Sequence, residues 1–435
     1  MTPRRIVFCT FGSLGDLYPF LALGREMKRR GHSPVIATTP VYRKLVEAEG
    51  VEFQPVRPDL DPNDAEILRR VMDRRTGGRH IVCDIALPSL RESYEDTAAI
   101  ASGADLVVTH PITFGAFLYV RKTGVPWASV AMAPVSMFSA QDPSVLNGVP
   151  FAEKLVEFGP GVQRFVMKAS AALFEPLWKP FRKFEKELGL PRSPNPLFWG
   201  HSPQLTLGLF SPELAAPQPD WPVNAQATGF PFFDHDEGHS PELQEFLDAG
   251  EPPIVFTLGS AAVVTAGDFF RQSAEAAHAI GRRAVLLVGR DPRNRPQGEL
   301  PPGIIAVPYA PHAAVFPRAC VVVHQGGIGT TGEAMRAGRP MLVVPYSHDQ
   351  PDHARRLTRL GVARSIPRER YGAAIAAREI QALLQDKTYA ERAAEIGAHV
   401  RAEDGVKVAC DLLERRMQPA LSEKEISQQP TSQIA

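Results

Sequence analysis

The stretch Val321–Pro345, VVVHQGGIGTTGEAMRAGRPMLVVP, runs an apolar strand into a glycine turn, opens a helix and closes on a second apolar strand. Glycine costs chain order and threonine disfavours a helix interior, so a turn built from Gly326, Gly327, Gly329, Thr330 and Thr331 needs a reason. Close approach of an anion supplies one. A bare glycine turn at a helix start presents unpaired N–H groups and the positive end of the helix dipole, and the threonine hydroxyls add donors. Ligands of open α/β sheets bind beyond the carboxyl ends of the strands, so the neighbouring strand ends decide what else belongs to this site.

The next strand end, PYSHDQPDHA, brings Asp349 and Gln350 beside His348, and Glu333 lies one turn into the helix after the glycines. A phosphate cradle next to hydroxyl-binding groups suits a nucleotide diphosphate that carries a sugar. Upstream, PIVFTLGSA (Pro253–Ala261), AVLLVG and IIAVPY read as further strands of the same series. An earlier series comprises a strand at Val7–Thr10, the turn GSLGD, a helix through YPFLALGREMKRRGH, and strands at SPVIATT, Asp105–His110 and Pro126–Met132. Alternation of this kind predicts two doubly wound α/β domains with parallel sheets, facing one another across a cleft. The proline-, glycine- and acid-rich segment around residues 230–240 reads as the linker, giving domains at 1–230 and 241–417. The tail 418–435 has little to bury and reads as disordered.

At 435 residues and 44% hydrophobic the chain can fill two ordinary cores. Basic and acidic residues balance at 48 each, which argues against nucleic acid as a partner and for a small or neutral one. Cys9, Cys83, Cys320 and Cys410 are scattered without a CxxC pair, as expected of free thiols in a reducing cytosol. No apolar run reaches the roughly 20 residues of a membrane span, and the first strand is broken by glycine too early for a signal peptide.

The first turn, TFGSLGD (Thr10–Asp16), is not GxGxxG, and the second strand ends without the acidic residue of a dinucleotide site. Asp16 reads either as a helix N-cap or as a general base at the cleft mouth. His110, at a strand end, competes with it or assists it. Asp59–Asp61, DLD, lies in a proline-flanked loop and reads as a solvated turn, so no metal is expected.

The segment PYAPHAAVFPRACVVVHQGGIGTTGEAMRAGRPMLVVPYSHDQPDHA resembles the nucleotide-sugar signature of the family 1, UDP-glycosyltransferase-like enzymes. FGSLGDLYPFLALGREMKRRGH resembles the amino-terminal loop of their bacterial and sterol-glucosylating members, and HSPQLTLGLFSPELAAPQPDWPVNAQATGFPFFD is similar to rhamnosyltransferases of bacterial glycolipid synthesis. The likeness covers most of residues 5–410. It implies the GT-B fold, with acceptor in the amino-terminal domain, donor in the carboxyl-terminal one and a last helix crossing back. By motif, Tyr309 matches the ring that stacks on the base. Ser260, Gly327, Gly329 and Thr330 match the diphosphate cradle, Glu333 the ribose-binding acid, and Asp349 with Gln350 the pair that holds sugar hydroxyls. The family commonly places histidine directly before the two glycines. Here Gln325 stands there and His324 one step earlier, so the diphosphate contact stays open between them. Asp16 matches the catalytic base of this bacterial branch.

The resemblance therefore implies an inverting transfer of a hexosyl or deoxyhexosyl group, of the UDP-glucose or dTDP-rhamnose class, to a hydroxyl of a lipid, sterol, polyketide or phenol. The nucleotide sugar is a co-substrate and no further cofactor is implied. A non-catalytic activator of another glycosyltransferase and a UDP-N-acetylglucosamine 2-epimerase share the fold and are the alternatives. MAPVSMF and Phe165–Phe184 offer apolar area for the acceptor, and Trp178, Lys179, Arg182 and Lys183 offer a peripheral contact with the inner face of a membrane.

Overall fold

The computed structural model describes residues 2–61, 64–145, 154, 156–234, 238 and 240–418. Short apolar runs form strands β1 (Arg5–Cys9), β2 (Ser33–Thr38), β3 (Glu52–Pro55), β4 (Leu106–Thr109), β5 (Trp127–Ala131), β6 (Thr206–Gly208) and β7 (Ala225–Ala227). They pair in a parallel seven-stranded sheet of order β3-β2-β1-β4-β5-β6-β7. A second parallel sheet, of order β10-β9-β8-β11-β12-β13, holds β8 (Ile254–Thr257), β9 (Ala284–Leu287), β10 (Ile304–Val307), β11 (Val321–His324), β12 (Met341–Val343) and β13 (Ala363–Ser365). Strands β3, β6, β7 and β13 were not read from sequence. Three of them have only three residues, TLG, AQA and ARS, too short to show a period of two.

Because every strand is parallel, each sheet gathers its carboxyl-end loops on one edge. Pairing of β1 with β4 sets the loop before helix α1 (Leu14–Arg29) beside the start of helix α2 (Phe114–Thr123). Pairing of β8 with β11 and of β11 with β12 sets three loops side by side. These precede the Gly259–Ala262 turn, helix α3 (Ile328–Ala337) and helix α4 (Gln350–Arg359).

Helix α5 (Gly405–Met417) returns to the first sheet: Ala409, Cys410, Leu412 and Leu413 join the core of Phe8, Leu17 and Phe20. Arg30 of the same half meets Asp411 at 2.7 Å and Glu414 at 2.8 Å. Two further ties cross the cleft. Met72, from the loop after the short helix Ala65–Val71, is buried with Phe256 and Leu342 of the second sheet. The segment after β5 is held to α4 by a buried charge network. Arg356, 1% exposed, meets Asp352 one turn earlier (2.7 Å), Asp142 of the opposite half, and Ser144 Oγ (3.2 Å). Asp352 also accepts the Val145 N–H at 3.0 Å, and Arg359 reaches Asp142 at 2.8 Å.

The membrane contact expected of Trp178 and Arg182 is corrected. Trp178 is 2% exposed, packed edge-on against Phe114 and Phe181, and Arg182 is spent on Glu175 (2.9 Å) and Glu185 (3.1 Å). Neither side chain is offered to a lipid surface. Among the described residues no helix is long and apolar enough to cross a membrane. Cys9 and Cys410 are buried, Cys83 and Cys320 half-buried, and all four are free. Residues 235–237 and 239 of the expected linker and 419–435 of the expected tail lie outside the described residues.

Candidate active site

On the first sheet edge, Ser13 and not Asp16 caps α1. Asp16 sits at the third helical position of a capping box, its Oδ2 accepting the Ser13 N–H (2.7 Å) and Ser13 hydroxyl (3.0 Å). The capping and catalytic readings of Asp16 are thus not rivals, because capping uses one carboxylate oxygen. The other, Oδ1, lies 3.3 Å from His110 Nε2. Gly12, at φ +136°, clears the space: a Cβ there would collide with the Asp16 carboxylate. His110 Nδ1 accepts the Ile112 N–H at 3.4 Å, so the neutral ring carries its proton on Nε2, toward Asp16. The contact is within ion-pair range but off the hydrogen-bond line. Burial opposes the charge on Asp16, but His110 and the two Ser13 donors outweigh it and hold the carboxyl below its ordinary value. At neutral pH it is a carboxylate.

On the second sheet edge, Gly327 is the N-cap of α3 and no side chain caps the helix. The first-turn N–H groups therefore have no partner inside the helix. Gly326, at φ +90°, makes the turn that only glycine takes without strain, and Gly329 faces open space. Gln325 is 6% exposed; its amide nitrogen lies where a Cβ on Gly259 or Gly327 would stand, and its Oε1 has no partner. Thr330 Oγ1 borders the same space, and Ser260 is exposed on the adjoining turn. This arrangement joins the β8 and β11 loops around one polar concavity.

His324 is placed behind that concavity. It is fully buried, its Nδ1 accepts the Gly326 N–H (3.1 Å), and burial, with the charges of His312 and His353, pushes its pKa down to about 3. Of the two residues left open by the sequence, Gln325 is the one on the concavity. An amide does not titrate and His324 stays neutral, so UDP or dTDP affinity measured by calorimetry is expected to stay flat from about pH 6 to pH 8 at this turn, and Gln325→His to add a component that tightens toward acid. A steep wild-type profile that vanishes in His324→Ala would reverse this assignment. Thr330→Val is expected to weaken the same nucleotides by about 1–3 kcal/mol, the cost of a buried donor or acceptor left unmade; unaltered affinity would make the turn purely structural.

Asp349 is the N-cap of α4 but does not bond its own helix, and its side chain is partly exposed. Gln350 is less free than its motif suggests. Its Oε1 accepts the Tyr346 N–H (2.8 Å) and Ser347 N–H (3.0 Å), which leaves the amide nitrogen as its remaining polar group. His353 ties this helix to the glycine turn, donating from Nδ1 to Gly326 C=O at 2.7 Å, with Nε2 3.8 Å from Asp349. His348 occupies a left-handed conformation, φ +57°, unusual for a residue with a Cβ. Burial lowers its pKa, while the charges of Asp349 and Asp16 and the Val71 backbone act to raise it. One ring thus senses carboxylates from both halves. Glu333 is held by Arg336 (2.8 Å), which also meets Asp234. Tyr309, on the loop after β10, is 49% exposed.

Two parallel α/β halves with a site built from both strand-end edges define the GT-B class of glycosyltransferase. Residues 6–81 match the glycosyltransferase family 28 N-terminal domain, and residues 282–412 match the C-terminal domain of erythromycin biosynthesis protein CIII-like proteins. The chain is 34% identical over 431 residues to O-mycaminosyltylonolide 6-deoxyallosyltransferase of Streptomyces fradiae, covering 94% of this chain and 97% of that one. Among solved structures, the kitacinnamycin glycosyltransferase superposes with a TM-score of 0.75 at 23% identity, covering 96% of this chain and 100% of that one. VinC in complex with DTDP does so with a TM-score of 0.65 at 18% identity, covering 95% and 99%. The chain belongs to the family 1 glycosyltransferases.

Proposed function

We propose that this protein transfers a hexosyl or 6-deoxyhexosyl group, with inversion, from a nucleoside diphosphate sugar to a hydroxyl of a largely apolar small molecule. The observation that carries the reading is the pair of strand-end edges, one presenting Asp16 Oδ1 3.3 Å from His110 Nε2, the other the uncapped start of α3 with Gln325 and Thr330 beside it. An acceptor oxygen near Asp16 and a sugar near Asp349 would then share one space. The acceptor hydroxyl gives its proton to Asp16 Oδ1 as its oxygen attacks the anomeric carbon, and the bond to the diphosphate breaks. His110 orients the carboxylate and bears part of its charge. The first-turn N–H groups of α3, the Gln325 amide nitrogen and the Thr330 hydroxyl receive the negative charge that develops on the leaving diphosphate. Tyr309 supports the base, Glu333 the ribose, and Ser260 the phosphates.

DTDP is the nucleotide named for VinC, and a 6-deoxyallosyl group is the cargo named for the Streptomyces fradiae relative. Both favour a thymidine diphosphate 6-deoxysugar over UDP-glucose as donor. The relative's named acceptor supports an antibiotic-type skeleton. An activator without catalysis would need neither the Asp16–His110 contact nor Asp349 at the start of α4, which supports the catalytic reading. The test is incubation of the purified protein, with EDTA present, with dTDP-rhamnose or UDP-glucose and a panel of macrolide, sterol and phenolic acceptors. Mass spectrometry is expected to show a glycoside with no metal added. An altered donor would indicate epimerisation, and nucleotide binding without any product would indicate an activator.

A further inference from the structure

The helix Pro160–Phe174 is built inside out. Its buried residues are Gln163 and Ala171, with Met167 half-buried between them in the same row. On the opposite side Val162, Phe165, Ala169 and Leu173 follow one another at spacings of three and four residues, so they share one face, and every one of them is exposed. Phe165 is 71% and Leu173 75% exposed, whereas a surface helix ordinarily turns its apolar stripe to the core. Phe158, also exposed, precedes the helix and is held to it by Gln163, whose amide nitrogen donates to the Phe158 C=O at 3.3 Å. A scattered exposed apolar side chain needs no explanation, but a contiguous row of them does. Arg164 and Lys168, one turn apart, stand exposed beside the row. No acidic residue falls between Phe158 and Phe174, and Glu175, which follows, is spent on Arg182 (2.9 Å) and Arg192 (2.7 Å).

We infer that this helix is a docking surface for an anionic lipid bilayer. It lies in the headgroup plane, with Val162, Phe165 and Leu173 entering the acyl boundary and Arg164 and Lys168 reaching lipid phosphates. Charge selects lipid over a second copy of the chain. Two such faces brought together would set the cations of one against those of the other, whereas phosphate headgroups complement them. Area selects the same occupant. A helix of 15 residues is about 22 Å long and about 10 Å across, so one face offers on the order of 300 Å², against the roughly 800 Å² that a stable complex buries on each partner. A bilayer requires neither that area nor a matching shape, only apolar depth beside cations. The contact that Trp178 and Arg182 do not make is thus offered one helix earlier, on the half that carries Asp16.

The inference stands apart from the reaction proposed above, because its test reads binding and not turnover. The full-length protein is sedimented with vesicles of phosphatidylcholine alone or with about 30% phosphatidylglycerol, at about 50 mM and about 500 mM salt. Wild type is expected to partition about tenfold more strongly onto the anionic vesicles, as two cations near a charged surface require, and to lose that preference at high salt. Phe165→Ser with Leu173→Ser is expected to lower anionic-vesicle binding by about tenfold or more, since each side chain forfeits its apolar transfer. Circular dichroism and nucleotide diphosphate affinity should stay unchanged in that variant, because both residues are exposed. Arg164→Gln with Lys168→Gln is expected to bind both kinds of vesicle alike, and it carries the test should the serine pair fold poorly. Wild-type binding that does not distinguish the vesicles overturns the inference, as does undiminished anionic-vesicle binding by either folded double variant. A dimer seen by sedimentation velocity without lipid, and dissociated by Phe165→Ser with Leu173→Ser, assigns the stripe to a second copy and overturns it as well.

Discussion

Asp16→Asn is expected to lower kcat by about 10²–10⁴-fold while leaving nucleotide diphosphate affinity unchanged, because a general base contributes about that much and Asp16 makes no donor contact. The substitution is conservative in shape. The asparagine Oδ1 can still accept from Ser13, so the cap of α1 survives and circular dichroism and melting should resemble wild type. His110→Ala should fall less steeply in kcat, since the carboxylate remains. It should also move the acid limb of the rate profile upward: His110 helps hold the Asp16 pKa below its ordinary value, and without it the carboxyl protonates at a higher pH. The sign follows from the depressed pKa. Activity carried by Asp16 is present at neutral pH and lost as pH falls through that pKa. Near-normal turnover by Asp16→Asn would remove Asp16 from the mechanism.

Arg356→Ala is expected to destabilise the fold by about 3–5 kcal/mol, read as a lower midpoint in urea, because it strands Asp352 in the interior and strips Asp142 of a buried partner. Desolvation acts against the guanidinium, and only the charges of Asp352 and Asp142 outweigh it. The double variant Arg356→Met with Asp352→Asn removes both sides of the closest pair and should recover much of the loss. Since Asp142 belongs to the other half, the variant should also loosen the halves relative to one another and raise donor KM through α4, whose first turn carries Asp349 and Gln350. A stability equal to wild type would mean that solvent reaches the network.

The two-sheet fold was legible because buried parallel strands are continuous apolar runs, and VVVH, IVFT and IVFC announce themselves without periodicity. The glycine turn was legible for a related reason: its residue types fit no bland role. Adjacency was not legible. Nothing local tells that Asp16 meets His110, because the pairing of β1 with β4 is a matter of strand order. The same holds for Gln325 and Gly259, brought together by β11 beside β8, and for Arg356 and Asp142. Asp352 and Arg356 do stand four apart on a helix, a spacing that signals a pair but not its burial. Trp178 misled because an aromatic among lysines has the same composition whether the ring faces lipid or core.

The proposed reaction is a single displacement in which Asp16 deprotonates the acceptor while the opposite half holds the donor. The anomeric configuration of the product tests it most directly. Whichever nucleotide sugar is turned over, supplied as one anomer of known configuration, the isolated glycoside is read by proton NMR through the H1–H2 coupling, or through the one-bond C1–H1 coupling for a sugar with an axial O2. A single displacement gives the opposite anomeric configuration from the donor, α-linked UDP-glucose giving a β-glucoside. A product that retains the donor's configuration would contradict it, since that outcome requires a second displacement or a front-face attack for which Asp16 is not the base.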